Sequence, residues 1–222
     1  AERIRRKYGK LITQDREIFD QCTNTIVRQV DDIKRMVDEF SSFARMPKPT
    51  MTREDVVETV REIVFMMRIA HPDVTIDGHF PAEAILASFD RRLLSQAVQN
   101  IIKNATEAIA AAPDAERGPA AITVAVRHEG GEIVVDVADN GKGFPKEGRQ
   151  RLLEPYMTDR EGGTGLGLAI VGKILEDHGG GIELLDNPAG RGGLVRLHFP
   201  APDAAGAPAS ARPGRELERA AG

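Results

Sequence analysis

The sequence predicts an α/β sandwich, a mixed sheet covered by helices on one face, preceded by an antiparallel helical hairpin. Three observations carry this. Residues 1–46 hold no proline, and Ile26, Val30, Ile33, Val37, Phe40 and Ala44 recur at alternating steps of four and three, the spacing of a heptad seam. Met46-Pro47-Lys48-Pro49 then stops the helix, since a proline inside one costs about 3 kcal/mol. From there to about Pro200, β-rich runs and amphipathic stretches follow in mixed order, the pattern of a sheet with helices on one face.

Each element has its own signal. Ile4, Tyr8 and Leu11 begin a seam upstream of the first, and the polar stretch Thr13–Asp20 is expected to hold a turn or the start of the second helix. A lone hairpin leaves its apolar stripes wet; pairing into a four-helix bundle would bury them, as would packing on the chain's own globular part. After the prolines, Thr52 is expected to cap a helix with Glu54 and Asp55 at its positive end. Its buried face would be Val56, Val60, Ile63, Val64 and Met67, and His71-Pro72 ends it. Val74–Phe80 and Ile85–Phe89 read as short strands. Arg91–Ala111 reads as a long helix with Leu94, Val98, Ile101, Ala105 and Ala108 along one side. Ile122–His128 and Glu132–Ala138 form a hairpin around Gly130-Gly131. Thr164–His178 reads as a helix closed by Gly179-Gly180-Gly181, and Ile182–Leu185 with Leu194–Phe199 as a final hairpin. The expected division is a hairpin over 1–47, a proline linker over 48–51, a domain over 52–200 and a disordered tail over 201–222. That tail, rich in Ala, Pro, Gly and Arg, has too little bulk to bury.

Composition narrows the function. At 41% hydrophobic residues and 5% aromatics, the 222-residue chain can bury a core, but an aliphatic one. With 30 basic against 34 acidic side chains and a net charge of -4, there is no electrostatic case for nucleic acid. Cys22 is the sole cysteine, which excludes a disulfide framework and a cysteine metal site. No apolar run nears the roughly 20 residues that cross a bilayer, and no signal peptide is visible. Opening at Ala1 in helical sequence, the chain is expected to belong to something longer.

Three local features carry chemistry. Asn100 and Asn104 are four apart on the long helix and share a face with Lys103 nearby. An amide oxygen suits Mg²⁺, which keeps waters and takes phosphates as its anionic partners; a pair of solvated asparagines has the same spacing. Asp139-Asn140-Gly141-Lys142-Gly143-Phe144 follows a strand directly. Its glycines let a flat ring approach the backbone and its aspartate can accept from an exocyclic amine, although an ordinary Asp-Asn-Gly turn looks alike. Gly162-Gly163-Thr164-Gly165-Leu166-Gly167 leads into a helix, where amides converge on an anion at the helix's positive end. No Gly-Lys-Ser/Thr follows, which excludes a Walker P-loop.

In this order the three resemble the N, G1 and G2 boxes of the Bergerat-type ATP-binding fold, shared by histidine kinases, gyrase, the Hsp90 chaperones and MutL, over roughly residues 51–200. Phe144–Gly163 is then similar to the ATP lid, and Leu153-Glu154-Pro155-Tyr156 to the family's F box, with Leu where Phe is usual. The flanking segment DDIKRMVDEFSSFARMP, with AERIRRKYGK at the start, resembles the dimerisation hairpin of nitrogen-regulation sensor histidine kinases of the NtrY-like kind. The resemblance implies ATP and Mg²⁺ as cofactors. It makes Asn104 the Mg²⁺ ligand supported by Asn100, and puts Asp139 on the adenine amine with Gly141 and Gly143 lining the base. It gives Gly163, Thr164, Gly165, Leu166 and Gly167 to the triphosphate, with Lys103 and Arg160 as further phosphate contacts. It also implies a homodimer, a response-regulator receiver domain as partner and a membrane anchor in the intact protein. The phosphoacceptor histidine is expected upstream of Ala1, because none of the five histidines is followed by Glu and an Asn-Pro pair. Another ATPase or serine kinase of the same fold, or a non-enzymatic ATP-binding scaffold, would share the boxes.

Overall fold

The computed structural model describes residues 2–9, 15–113, 118–158 and 164–201. Of the expected tail 201–222, residues 202–222 lie outside them, while Ala201 is buried and its amide donates to the Gly131 carbonyl at 2.9 Å. Helices α1 (Glu2–Tyr8) and α2 (Arg16–Ala44) come first. Along α2, Ile26, Val30, Ile33 and Val37 are 53%, 58%, 59% and 54% exposed, so the heptad seam is left open among the described residues.

Next comes β1 (Thr52–Asp55), which pairs antiparallel with β3 (Leu86–Phe89) to make a two-stranded sheet. Thr52 therefore does not cap the helix that follows; it lies opposite Phe89 in the strand register. The cap of α3 (Val56–Ala70) is Asp55, whose Oδ1 accepts from the Val57 amide at 2.9 Å and the Ile85 amide at 3.1 Å. One carboxylate thus fixes both the helix start and the chain entering β3.

The main sheet has the order β2-β4-β5-β7-β6, with β2 (Thr75–His79), β4 (Ala121–Glu129), β5 (Glu132–Asp139), β6 (Gly181–Asp186) and β7 (Gly193–Pro200). Only β2 and β4 pair parallel; the other neighbours are antiparallel. Alternation sorts the faces. Val124, Val135, Leu197 and Phe199 bury on one side beneath α3, α4 (Arg91–Ala110) and α5 (Gly167–Asp177). On the other side Asp136 is gripped by Arg127 (2.6 Å) and Arg196 (2.9 Å) across three strands. Burial would raise the Asp136 carboxyl, but the two guanidiniums outweigh it and hold it below the usual carboxylate range.

Helix α5 begins at Gly167, not Thr164, because Gly165 sits at φ +68 and breaks the right-handed run. At its far end His178 ties two helices together. The Asp90 amide donates to Nε2 at 3.0 Å, so the ring's proton is on Nδ1, which donates to the Ile174 carbonyl at 2.7 Å. The imidazole is a strap joining α5 to the start of α4. Among the described residues no helix is long and apolar enough to cross a membrane.

Candidate functional site

Helix α4 builds one wall. Its cap, Asp90, is buried, accepting from Leu93 (3.0 Å) and from Thr50 at the end of the proline segment (2.9 Å). Burial favours the protonated acid, yet these amides and Arg92 prevail and keep the carboxyl below its ordinary value. Leu94, Val98, Ile101, Ala105 and Ala108 are buried as the periodicity predicts. That orientation turns Asn100, Lys103 and Asn104 toward a cavity of about 990 Å³.

The turn after β5 closes one end. Asp139 is buried, and its Oδ1 accepts from Gly141 (2.8 Å) and Gly193 (3.4 Å). Asn140 looks away, accepting from Ala121 and donating to the Pro119 carbonyl. The Lys142 amide donates to the Ala108 carbonyl of α4 at 3.2 Å. From the opposite side Asn187 donates to the Asp139 carbonyl (2.9 Å) and Arg191 to that of Gly141 (3.2 Å).

The two turn glycines have different reasons. A Cβ on Gly141 would stand 2.5 Å from the Ala108 backbone, so this glycine lets the turn dock on α4; it does not line the cavity. Gly143, at φ +74, does line it.

The start of α5 forms the third wall. No side chain caps it, which leaves its first amides to be met by other partners. Gly167 lies on the Asn104 amide, whose Nδ2 and Oδ1 are 3.7 and 3.8 Å from where a Cβ would stand. Thr164, Gly165 and Gly167 line the cavity. Leu166 does not: its side chain is fully buried in the core, and only its amide, bonded to Thr164 Oγ1 at 3.4 Å, belongs to the loop. Arg160 and Gly163 lie outside the described residues.

Asn104, Asp139 and Gly165, distant in sequence, therefore share one hollow. Sequence reading passed over Lys142, Phe144, Met157 and Leu168, which also line it. The first two stood inside the quoted turn motif. It also passed over Arg28 and Asp32 of α2, which no local signal marked.

The architecture now meets its kin. The family described as "Histidine kinase-, DNA gyrase B-, and HSP90-like ATPase" matches residues 89–203. The chain belongs to this ATPase family. It is 61% identical over 197 residues to the nitrogen regulation protein NtrY of Azorhizobium caulinodans, a match covering 89% of this chain and 25% of that protein. The chain thus spans about a quarter of that relative's length. Among solved structures, it resembles the catalytic domain of histidine kinase ThkA at 25% identity and a TM-score of 0.59, over 68% of this chain and 96% of that one. It also resembles ThkA solved in complex with the response regulator protein TrrA, with a TM-score of 0.64 at 21% identity, over 85% of this chain and 53% of that one. The similarity to NtrY over most of this chain and the likeness to the ThkA catalytic domain agree with that family.

Proposed function

We propose that the chain binds Mg²⁺-ATP in the cavity between α4, the Asp139 turn and the start of α5, and moves the γ-phosphate to a histidine upstream of Ala1 for relay to a response-regulator aspartate. The supporting observation is the convergence of Asn104, Asp139 and Gly165 on one hollow. Its volume of about 990 Å³ lies at the upper end of ligand pockets, roughly 300–1,000 Å³.

Asp139, buried and braced by its own turn, accepts from the exocyclic amine of the purine. Gly143 gives the ring access to the backbone. The uncapped amides of α5, with Gly165 and Gly167, hold the phosphates at the helix's positive end. Lys103 and Lys142 add positive charge along the same walls. Asn104, with Asn100 one turn before it, suits Mg²⁺ as a single neutral oxygen ligand beside the phosphates that supply the anionic ones. Held by Asn104, magnesium would supply neutralisation of the charge that develops during transfer. The protein's part is positioning.

The acceptor is placed upstream because the segment 1–47 holds no histidine. The five histidines sit at the end of α3, in β2, β4 and β7, and at the end of α5. The exposed seam of α2 supports homodimerisation, and the ThkA–TrrA complex supports a receiver domain as partner. We assign the chain to the cytoplasmic side of a membrane-anchored protein. Calorimetric titration with Mg²⁺-ATP tests the core of this reading. Saturable binding, weakened at least tenfold by Asn104→Ala, is expected; no binding by the wild-type chain would refute it. Incubated with γ-labelled ATP, the chain alone is expected to stay unlabelled.

A further inference from the structure

Two residues of the nucleotide cavity come from outside the ATPase domain. Arg28 and Asp32 of α2 join Lys103, Asn104 and Glu107 of α4 in lining it. They stand four apart, on one face of α2. At 100° per residue the seam residues Ile26, Val30, Ile33 and Val37 fall on the other side of the helix. The seam's exposure agrees with this: the side that meets the cavity is polar and the side turned away is apolar. The same helix can therefore serve the bundle and the nucleotide together.

We propose that Arg28 is a phosphate-contacting residue, presented by α2 to the tail of the nucleotide bound in this cavity, with Asp32 opposing it. This rests on the ATP-binding reading above. A guanidinium is the side chain best fitted to phosphate: planar, permanently charged and able to give two parallel hydrogen bonds. The Asp139 turn, assigned above to the purine, is held by α4 on one side and by Asn187 and Arg191 on the other. That leaves the phosphate tail as the anionic part of the ligand for an added cation to meet. Asp32, one turn along, places a negative charge on the same wall, and its repulsion grows with every phosphate added. Arg28 thereby favours nucleoside di- and triphosphates over monophosphates.

The test is calorimetric titration of the full chain and of Arg28→Ala, Arg28→Lys and Asp32→Asn with adenosine mono-, di- and triphosphate in Mg²⁺. A charged hydrogen bond at a partly exposed site predicts a loss of about five- to tenfold for ATP in Arg28→Ala. A smaller loss is expected for ADP and none for AMP, with Arg28→Lys recovering part of the ATP affinity. Asp32→Asn is expected to tighten ATP about twofold. Lys34→Ala, a change of equal charge on α2 away from the cavity, is expected to leave all three affinities alone. Equal losses for the three nucleotides, no loss in Arg28→Ala, or weakening by Asp32→Asn would overturn the proposal. In each of those cases a wild-type chain that binds ATP leaves the ATP-binding reading standing; a wild-type chain that binds none removes both.

Discussion

Asp139 shows how one side chain can be structural and chemical at once. Its carboxylate holds the Gly141 amide while lying in the wall of the hollow proposed to take the nucleotide. Asp139→Asn keeps an acceptor oxygen but sets an NH₂ group where an incoming amine donates. Mg²⁺-ATP affinity is expected to fall at least tenfold while circular dichroism stays native. His178 is the complementary case, structural alone. Replacing it with Ala strands the buried Asp90 amide, and the urea midpoint is expected to register a loss of about 1–2 kcal/mol without a change in nucleotide affinity at saturating stability. At this scale the sequence was readable where a motif carried the chemistry. Asn104 and Gly165 stood out from their spacing and neighbours. The role of His178 was not legible because its partner is 88 residues away and is a backbone amide, which no side-chain pattern reveals.

Elements were legible in proportion to their apolar periodicity. Helix α4 and the β4–β5 hairpin carry strong patterns and lie within a residue or two of where the sequence puts them. Strand β1 was missed because Thr-Arg-Glu-Asp has no β pattern; its pairing with β3 creates it. The same pairing displaced the cap from Thr52 to Asp55. Asp55→Ala removes the acceptor of two amides and is expected to cost about 1–2 kcal/mol in chemical denaturation. Gly141 offers a second test between elements. A methyl there meets the Ala108 backbone at 2.5 Å, which must shift α4 against the turn. Gly141→Ala is expected to lose about 1–3 kcal/mol of stability and to weaken nucleotide binding through displacement of Asp139.

For the whole molecule, two forces act through charge and through the seam. Asp90 and Asp136 both titrate below their unfolded range, so their stabilising contribution is full above the unfolded carboxyl value of about 3.9. It is lost as pH falls from there through the folded values. Unfolding midpoints are therefore expected to drop on acidification below about pH 4, and Asp136→Asn, which leaves Arg127 and Arg196 facing each other, to flatten that drop. The seam gives the second expectation. Val30→Glu with Ile33→Glu should shift the chain from dimer to monomer in light scattering while ATP affinity holds. The heptad was plain in the sequence, but nothing local could tell that the opposite face of that helix meets the cavity. Such a meeting depends on how two separately folded parts are docked.

The loop between β6 and β7 lies at a surface hairpin tip, where proteins usually absorb extra residues with little effect. Here Asn187 and Arg191 reach back to the carbonyls that shape the Asp139 turn. Growth of that tip by even a residue or two would pull these two anchors out of step. Chains of this build should keep the 187–192 tip at constant length, a pattern that an alignment of tip lengths can check.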